Sequence, residues 1–323
     1  MQSSSALCDA PDPSVAPLRD NEFLVDLIAD ISGSSRDEVI RRFVLEHEDL
    51  GANVREAMNR EGIKPFVWSS ELEAFYASTD AFLYETLVWN RTATKIDMRR
   101  WIGSHLQSIS DAPQRVLTYG DGLGLDAYYL AEAGHEVTYF DVSNQCAQFA
   151  RRIFDQGDFE IEMVSDSSEV PADSFDVVVC LDVLEHVPDP VALVAWLTQR
   201  LRSKGRLVVH APFYFFHPCV MTHLKCNQRF SGDLRRLYKS AGLRLVDGRF
   251  LWNPIVLEKQ DSGSTSANQR SPAHVMLGGV MLSIARIWAL PHSMIARALS
   301  RSDRRQLKRL IEGMSLAECN AID

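Results

Sequence analysis

The sequence predicts an α/β protein with a doubly wound, mostly parallel, seven-stranded sheet whose last strand is antiparallel. From residue 115 onward, short apolar runs alternate with amphipathic runs of helical period. That alternation is typical of a parallel sheet with helices on both faces. Residues 21–105 contain only helical periodicity. We therefore expect a helical N-terminal region and a C-terminal helical extension on either side of the sheet domain.

Seven apolar runs are the strand candidates, at residues 115–119, 136–140, 159–164, 175–180, 206–211, 243–251 and 254–259. Helices between them are expected to begin near Leu123, Ser143, Asp189 and Arg229. Only Trp252 and Asn253 separate the last two runs. So short a link cannot form a right-handed crossover, so these two strands are expected to pair as an antiparallel hairpin at a sheet edge.

The chain divides into five predicted parts. They are a mobile tail over residues 1–20, a helical region over 21–105, the sheet domain over 106–260, a linker over 261–274 and the C-terminal extension over 275–323. In the helical region, Ser35 and Glu38 form a capping-box pattern. Its aromatic residues either belong to a core or line a ligand site that the region covers as a lid: Phe75, Tyr76, Phe82, Tyr84, Trp89 and Trp101.

Composition excludes several classes of protein. The chain has 323 residues, 46% of them hydrophobic and 24% charged, which is ordinary for a soluble globular protein. Its net charge of -9 argues against a general nucleic-acid binder. The scattered cysteines and the absence of a signal-peptide pattern lead us to expect a cytoplasmic location. Residues 275–310 are apolar and then basic, so they form either a packed helical pair or a peripheral membrane or partner contact.

A glycine-rich turn follows the first strand and contains Gly120, Gly122 and Gly124. Glycines allow positive φ angles, and such a turn presents backbone N–H groups and a helix N-terminus to an anionic or polar ligand. Asp141 ends the second strand, 17 residues after Gly124, where a carboxylate can accept hydrogen bonds from ribose hydroxyls. The pattern predicts a nucleoside-containing ligand. Gly122-x-Gly124-x-x-Ala127 also fits the dinucleotide fingerprint, so a nicotinamide cofactor stays open at this point.

A second segment, residues 173–190, reads DSFDVVVCLDVLEHVPDP. Together with Gly120-x-Gly122-x-Gly124 it resembles the class I S-adenosylmethionine-dependent methyltransferases, the Rossmann-like methyltransferase superfamily. That family has S-F-D before its fourth strand, L-E-H-V after it, and an antiparallel hairpin at the end of a seven-stranded sheet. The resemblance covers residues 97–259. It implies S-adenosylmethionine as the cofactor and a small molecule as the methyl acceptor.

The resemblance also implies a set of cofactor-binding residues. Asp182 and Glu185 match positions that line the pocket near the methionine part of the cofactor, and Asp166 matches the acidic contact to adenine. The full expected set is Tyr119, Gly120, Asp121, Gly122, Gly124, Asp141, Val142, Asp166, Ser167, Leu181, Asp182 and Glu185.

The chain departs from the family at Thr118, where the usual residue is an acid that helps to hold the cofactor's amino group or the loop. A threonine can form hydrogen bonds but carries no charge. Compensation by Asp121 is one interpretation. A non-catalytic scaffold that binds S-adenosylmethionine is another. A separate alternative, which rests on the Gly122-x-Gly124 fingerprint, is an NAD(P)-dependent oxidoreductase.

The acceptor is expected to meet residues 210–230, an aromatic segment after the fifth strand. His223-Leu224 resembles a His-Leu pair that the family often carries here. We expect His223 or His217 to contact the acceptor or to act as the base, unless both only pack the loop. His217, Cys219, His223 and Cys226 fall within ten residues, but structural zinc sites usually pair ligands on separated knuckles, so no metal site is expected.

Overall fold

The computed structural model describes residues 11–249, 253–260, 273 and 275–280. Its first part is helical, as predicted. The helices are α1 (Asn21–Ser32), α2 (Arg36–Glu48), α3 (Ala52–Glu61), α4 (Ser70–Ser78), α5 (Ala81–Asn90) and α6 (Ala93–Ile109). The capping pattern is confirmed, because the Ser35 hydroxyl accepts a hydrogen bond from the Glu38 N–H at 3.3 Å.

The sheet that follows confirms the predicted fold class. Its strands are β1 (Arg115–Tyr119), β2 (Glu136–Phe140), β3 (Ile161–Val164), β4 (Phe175–Leu181), β5 (Leu201–His210), β6 (Leu243–Gly248) and β7 (Ile255–Lys259). They lie in the order β3-β2-β1-β4-β5-β7-β6. The last strand, β7, runs antiparallel to both of its neighbours, β5 and β6, and it pairs with β6 in the predicted hairpin at the sheet edge. The order reverses next to β1, so β1 and β4 flank the switch point where such sheets bind ligands.

The connecting helices are α7 (Leu125–Glu132), α8 (Asn144–Phe154), α9 (Pro190–Arg200) and α10 (Leu234–Leu237). The first three begin within two residues of the predicted positions. The helix expected to begin near Arg229 begins at Leu234 instead. A six-residue 3-10 turn over Lys225–Phe230 and the short α10 stand there instead, because Gly232, at φ +69°, breaks the helical path between them.

The helical region shares a core with the sheet domain. Leu24 and Ile28 of α1 belong to the same buried apolar cluster as Phe149 and Ile153 of α8. Helix α6 runs across the predicted boundary between residues 105 and 106. The domain limits given above stay predictions, but the helical region and the sheet domain pack against each other through one shared apolar core.

Both ends of the chain extend beyond the described residues. Within the segment predicted as a mobile tail, Val15 and Leu18 are buried, and Leu18 O accepts from the Arg91 guanidinium at 2.9 Å. Residues 1–10 lie outside the described residues, as do most of the predicted linker and of the C-terminal extension. Residues 275–280 are helical. Within the part that the structure describes, no helix is long and apolar enough to cross a membrane.

Candidate functional site

The glycine turn adopts a conformation that requires glycine. Gly120, Gly122 and Gly124 have φ angles of +70°, +59° and +74°, and α7 begins directly after them. A Cβ atom at Gly120 would lie 2.5 Å from a methyl group of Val183, and one at Gly124 would lie 2.6 Å from the Phe154 ring. The turn therefore brings its backbone close to β4 and α8 and leads into a helix N-terminus.

Asp141 lies at the end of β2 and faces this turn. Its Oδ2 accepts the Gly122 N–H at 2.7 Å and its Oδ1 accepts the Ser143 N–H at 2.8 Å. Burial raises the pKa of Asp141, and these N–H groups oppose that rise. The Tyr139 hydroxyl donates to the Gly122 carbonyl at 2.5 Å, so the middle of the turn is held from both its N–H and its C=O.

The Asp121 side chain turns away from the ligand side of the loop. Its two oxygens accept the N–H groups of Asp126 at 3.2 Å and Ala127 at 2.7 Å, at the start of α7. Burial and the neighbouring Asp126 raise the pKa of Asp121 well above its ordinary value. Thr118 is buried, and its hydroxyl has no hydrogen-bond partner among the described residues. This geometry does not support compensation for Thr118 by the Asp121 carboxylate.

Three more of the predicted cofactor-binding residues lie where β1, β2 and β3 end. Val142 is 63% exposed, a large fraction for an apolar side chain next to a glycine turn. Asp166 is exposed and caps the 3-10 turn Ser167–Glu169 by accepting the Ser168 N–H at 2.8 Å. Tyr119 stacks on a neighbouring ring at the end of β1. The apolar side chain of Val142 and the carboxylate of Asp166 thus both lie at the edge of the sheet where the parallel strands have their carboxyl ends.

Asp182 lies directly after Leu181, the last residue of β4, with a φ angle of +57°. Its Oδ1 is hydrogen-bonded to His210 Nδ1, and its Oδ2 accepts the Trp89 indole N–H at 3.1 Å. The Lys95 ammonium lies 3.9 Å from the same Oδ2. Burial alone would raise the pKa of Asp182, but His210 and Lys95 lower it below its ordinary value. Asp182 is therefore an anion that holds His210 in one orientation.

Glu185 has a different environment from Asp182. It is 1% exposed, and neither carboxylate oxygen has a hydrogen-bond partner among the described residues. Its Oε1 lies 4.0 Å from His186 Nε2 and 3.9 Å from His223 Nε2. Burial, with the nearby Asp182, raises the pKa of Glu185 well above its ordinary value. These three donor residues lie close enough to hold a metal ion, since one ligand atom of each falls within 4.8 Å of the others.

The histidines after β5 differ in their surroundings. His223 is buried and its Nδ1 is hydrogen-bonded to Phe215 O at 2.7 Å; burial and the adjacent His186 lower the pKa of His223 to about 3. His217 Nδ1 accepts the Cys219 N–H at 3.3 Å. The sequence analysis missed His210, the last residue of β5. Its position at the carboxyl end of a strand was the available signal.

Helices α4 and α5 cover this edge of the sheet. The Tyr76 hydroxyl of α4 is hydrogen-bonded to His186 Nδ1 at 2.9 Å, and Trp89 of α5 donates to Asp182 as described. Of the aromatic residues considered above, Phe75 and Tyr84 are buried in apolar clusters. Tyr76 and Phe82 stack with ring centroids 5.0 Å apart, and the Tyr76 ring lies edge-on to His186, with the centroids 6.2 Å apart.

A cavity of about 650 Å³ lies elsewhere on the domain. Arg115, Glu136 and Ile161 line it, and each of them is the first residue of its strand. The cavity therefore lies at the amino ends of β1, β2 and β3, on the edge opposite the glycine turn. Ligands of open α/β sheets bind at the carboxyl ends, so this cavity is not the cofactor site.

The fold and the site are those expected of a class I S-adenosylmethionine-dependent methyltransferase domain. Residues 95–249 match the family model described as a methyltransferase domain, which is somewhat less than half of the chain. The chain is 35% identical over 103 residues to a ubiquinone biosynthesis O-methyltransferase of Xanthomonas axonopodis pv. citri, covering 31% of this chain and 43% of the relative. It is 40% identical over 101 residues to the protein of the same name from Idiomarina loihiensis, covering 29% and 40%.

The chain thus spans less than half the length of these curated relatives. Among solved structures, it is similar to magnesium protoporphyrin IX methyltransferase from Synechocystis PCC 6803 with bound S-adenosylmethionine. That similarity has 19% identity and a TM-score of 0.39, and it covers 64% of this chain and 93% of the other.

S-adenosylmethionine is the cofactor of this class, and the described residues fit it. The positive-φ turn lies beside the switch point, and a Cβ atom at Gly122 would lie 3.1 Å from the Thr86 methyl group. Asp141 has acceptor capacity for ribose hydroxyls at the end of β2. The exposed Val142 offers an apolar surface for a purine ring. The turn therefore fits a nucleoside, with Thr118 as its one departure from the family pattern.

Proposed function

We propose that this protein transfers a methyl group from S-adenosylmethionine to a small-molecule acceptor. One observation carries the proposal. The Asp141 carboxylate is hydrogen-bonded to the middle of the glycine turn at the switch point of a sheet whose sequence matches a methyltransferase domain. When bound, the cofactor supplies an electrophilic methyl group on a sulfonium, whose displacement needs alignment with the acceptor more than chemical activation.

The cofactor would lie along the carboxyl ends of β1, β2 and β4. The turn at Gly120 and Gly122 would take the backbone contacts, and Asp141 would accept from the ribose. Asp166 would accept from the adenine amino group, with Val142 against the ring. These roles agree with the exposure of the last two side chains.

The acceptor would lie under α4 and α5, next to the loop that follows β5. An oxygen nucleophile agrees with the names of the relatives, which are O-methyltransferases. Such an acceptor has a proton to lose, and His210 is the base that the geometry favours. His210 Nδ1 is hydrogen-bonded to the Asp182 carboxylate, so Nε2 is the atom that can accept a proton from the acceptor. His217 and His223 would contact the acceptor or shape its site; the low pKa of His223 makes it the weaker base.

Calorimetric titration of the full chain with S-adenosylhomocysteine tests the proposed cofactor. We expect one site per chain and no comparable binding of NADH. Asp141→Ala removes a charged acceptor of two N–H groups, so affinity should fall by roughly 10- to 100-fold. Asp158→Ala, at an exposed carboxylate beyond α8, is the matched control and should bind like the parent protein.

The possible results separate the competing functions. Preference for NADH would support an oxidoreductase. Binding of S-adenosylhomocysteine without turnover of any hydroxylated acceptor would support the scaffold interpretation. Equal affinity of Asp141→Ala and Asp158→Ala, with circular dichroism showing both folded, would contradict the assigned ribose contact.

A further inference from the structure

Glu185 is a buried carboxylate without the partner that such a group requires. It is 1% exposed, and both of its oxygens lack a hydrogen bond among the described residues. Moving a carboxylate out of water is costly unless an opposite charge or donors compensate it, and this is why most buried charges are paired or bind metals. The geometry therefore leaves a place beside Glu185 for a positive charge.

The two nearest imidazoles present their Nε2 atoms to that place, at 3.9 Å for His223 and 4.0 Å for His186. Each ring is held through its other nitrogen. His223 Nδ1 donates to the Phe215 carbonyl at 2.7 Å, which leaves Nε2 with its lone pair. His186 Nδ1 is hydrogen-bonded to the Tyr76 hydroxyl at 2.9 Å. A hydrogen bond from the far ring nitrogen is the usual support of a metal-binding histidine.

We propose that Glu185, His186 and His223 form a site for one divalent transition-metal ion. Two imidazoles and one carboxylate are the ligand set of ions such as zinc, manganese and iron(II), whereas magnesium and calcium prefer oxygen ligands alone. The three ligand atoms lie within 4.8 Å of one another, so a small closure brings them to coordination distance, about 2.0–2.2 Å from a shared ion.

Three protein ligands leave further coordination positions open on the ion. The His186 side chain is 20% exposed, whereas Glu185 and His223 are enclosed, so water or an acceptor oxygen would approach past His186. This site differs from the compact Cys/His spacing in the loop after β5. It takes only His223 from that loop and adds two residues from the turn after β4.

Titration of the metal-free full chain with Co²⁺, followed by visible absorption, tests the site directly and does not depend on methyl transfer. We expect one ion per chain, d–d bands typical of mixed nitrogen and oxygen ligands, and displacement by Zn²⁺. Glu185→Gln is nearly isosteric, and it and His223→Ala should each weaken Co²⁺ binding by at least about 100-fold, more than a supporting residue would. Thermal unfolding checks that both variants are folded.

His217→Ala and Cys226→Ser are the matched controls from the same loop, and both should bind Co²⁺ like the parent protein. Absence of a stoichiometric Co²⁺ spectrum in the parent protein would overturn the proposed site, whatever the variants do. Loss of binding in the two controls, with thiolate-to-metal charge-transfer bands, would place the ion in the loop instead. Metal-free protein that binds S-adenosylhomocysteine but not Co²⁺ would refute the metal site and leave the proposed function intact.

Discussion

Asp126, in the sheet domain, binds two buried cations of helix α6, which belongs mostly to the helical region. Its carboxylate accepts the Lys95 ammonium at 2.8 Å and the Arg99 Nε–H at 2.9 Å, and all three residues are at most 6% exposed. Lys95 and Arg99 lie on α6, whereas Asp126 lies in the first turn of α7. Asp126→Asn keeps the shape of the side chain but leaves the two cations without their shared counter-ion.

Breaking a buried ion pair from one side costs about 3–5 kcal/mol. Arg99 keeps two other acceptors, Pro13 O and the Asn90 side chain, so most of the cost should fall on Lys95. The other carboxylate of an ion pair with Lys95 is Asp182, at 3.9 Å. We therefore expect the free energy of unfolding to fall by about 3 kcal/mol, near the lower end of that range.

Urea unfolding followed by circular dichroism and tryptophan fluorescence measures this loss. Asp97→Asn is the matched control, since Asp97 also lies on α6 but is 52% exposed and pairs with Arg100 at 3.0 Å. An exposed pair contributes about 0–1 kcal/mol. If the two variants lose equal stability, the buried ion pairs of Asp126 with Lys95 and Arg99 do not hold α6 to α7 as we describe. Separate transitions for helix and sheet signals in Asp126→Asn would mean that α6 belongs to an independently unfolding unit.

Two other substitutions test histidines with opposite roles. Burial and the nearby Arg91 lower the pKa of His47 to about 4, so the unfolded chain takes up this proton first as pH falls below about 6.5. The folded protein keeps His47 neutral, so lowering the pH from about 8 to about 5 should reduce the free energy of unfolding by about 2 kcal/mol through His47. In His47→Gln this acid-induced loss should be smaller by that amount. If urea melts show the same pH dependence of stability in the variant and the parent protein, the assignment is wrong. His210→Gln removes the proposed base, so kcat with a hydroxylated acceptor should fall roughly 100- to 10,000-fold, while the affinity for S-adenosylhomocysteine stays the same. If His217→Gln lowers kcat as much, the assignment of His210 as the base is wrong.

The parts of the site that depend on local sequence could be predicted. The positive-φ glycines and the terminal hairpin follow from spacings of a few residues, and the place of Asp141 at the end of β2 follows from the strand pattern. The direction of the Asp121 side chain could not be predicted in this way. It depends on where α7 begins, and at Leu125 the start lies close enough for the carboxylate to accept two helical N–H groups.

The polar contacts around β4 and β5 depend on tertiary register, which no local pattern specifies. His210 meets Asp182 because β4 and β5 are parallel, with Leu181 opposite His210 at their carboxyl ends. Glu185 meets His223 because the irregular segment after β5 folds back over the turn after β4, where Leu224 N donates to Glu185 O at 2.9 Å. Spacing alone grouped His223 with two cysteines, whereas the structure groups it with residues far away in the sequence.

The proposed cofactor contacts and part of the proposed acceptor contacts come from different parts of the chain. The methyltransferase-domain match begins at residue 95, so it includes the glycine turn, Asp141 and the turn after β4. Tyr76 and Trp89, which contact that last turn from above, lie before residue 95, on α4 and α5. Contacts to the acceptor would therefore be made in part by helices that the family model does not match, and in part by the matched segment after β5. The acceptor of a relative should not be assigned to this chain on the matched region alone, because that region carries the proposed cofactor contacts, while Tyr76 of α4 and Trp89 of α5 contact the turn after β4 from outside it.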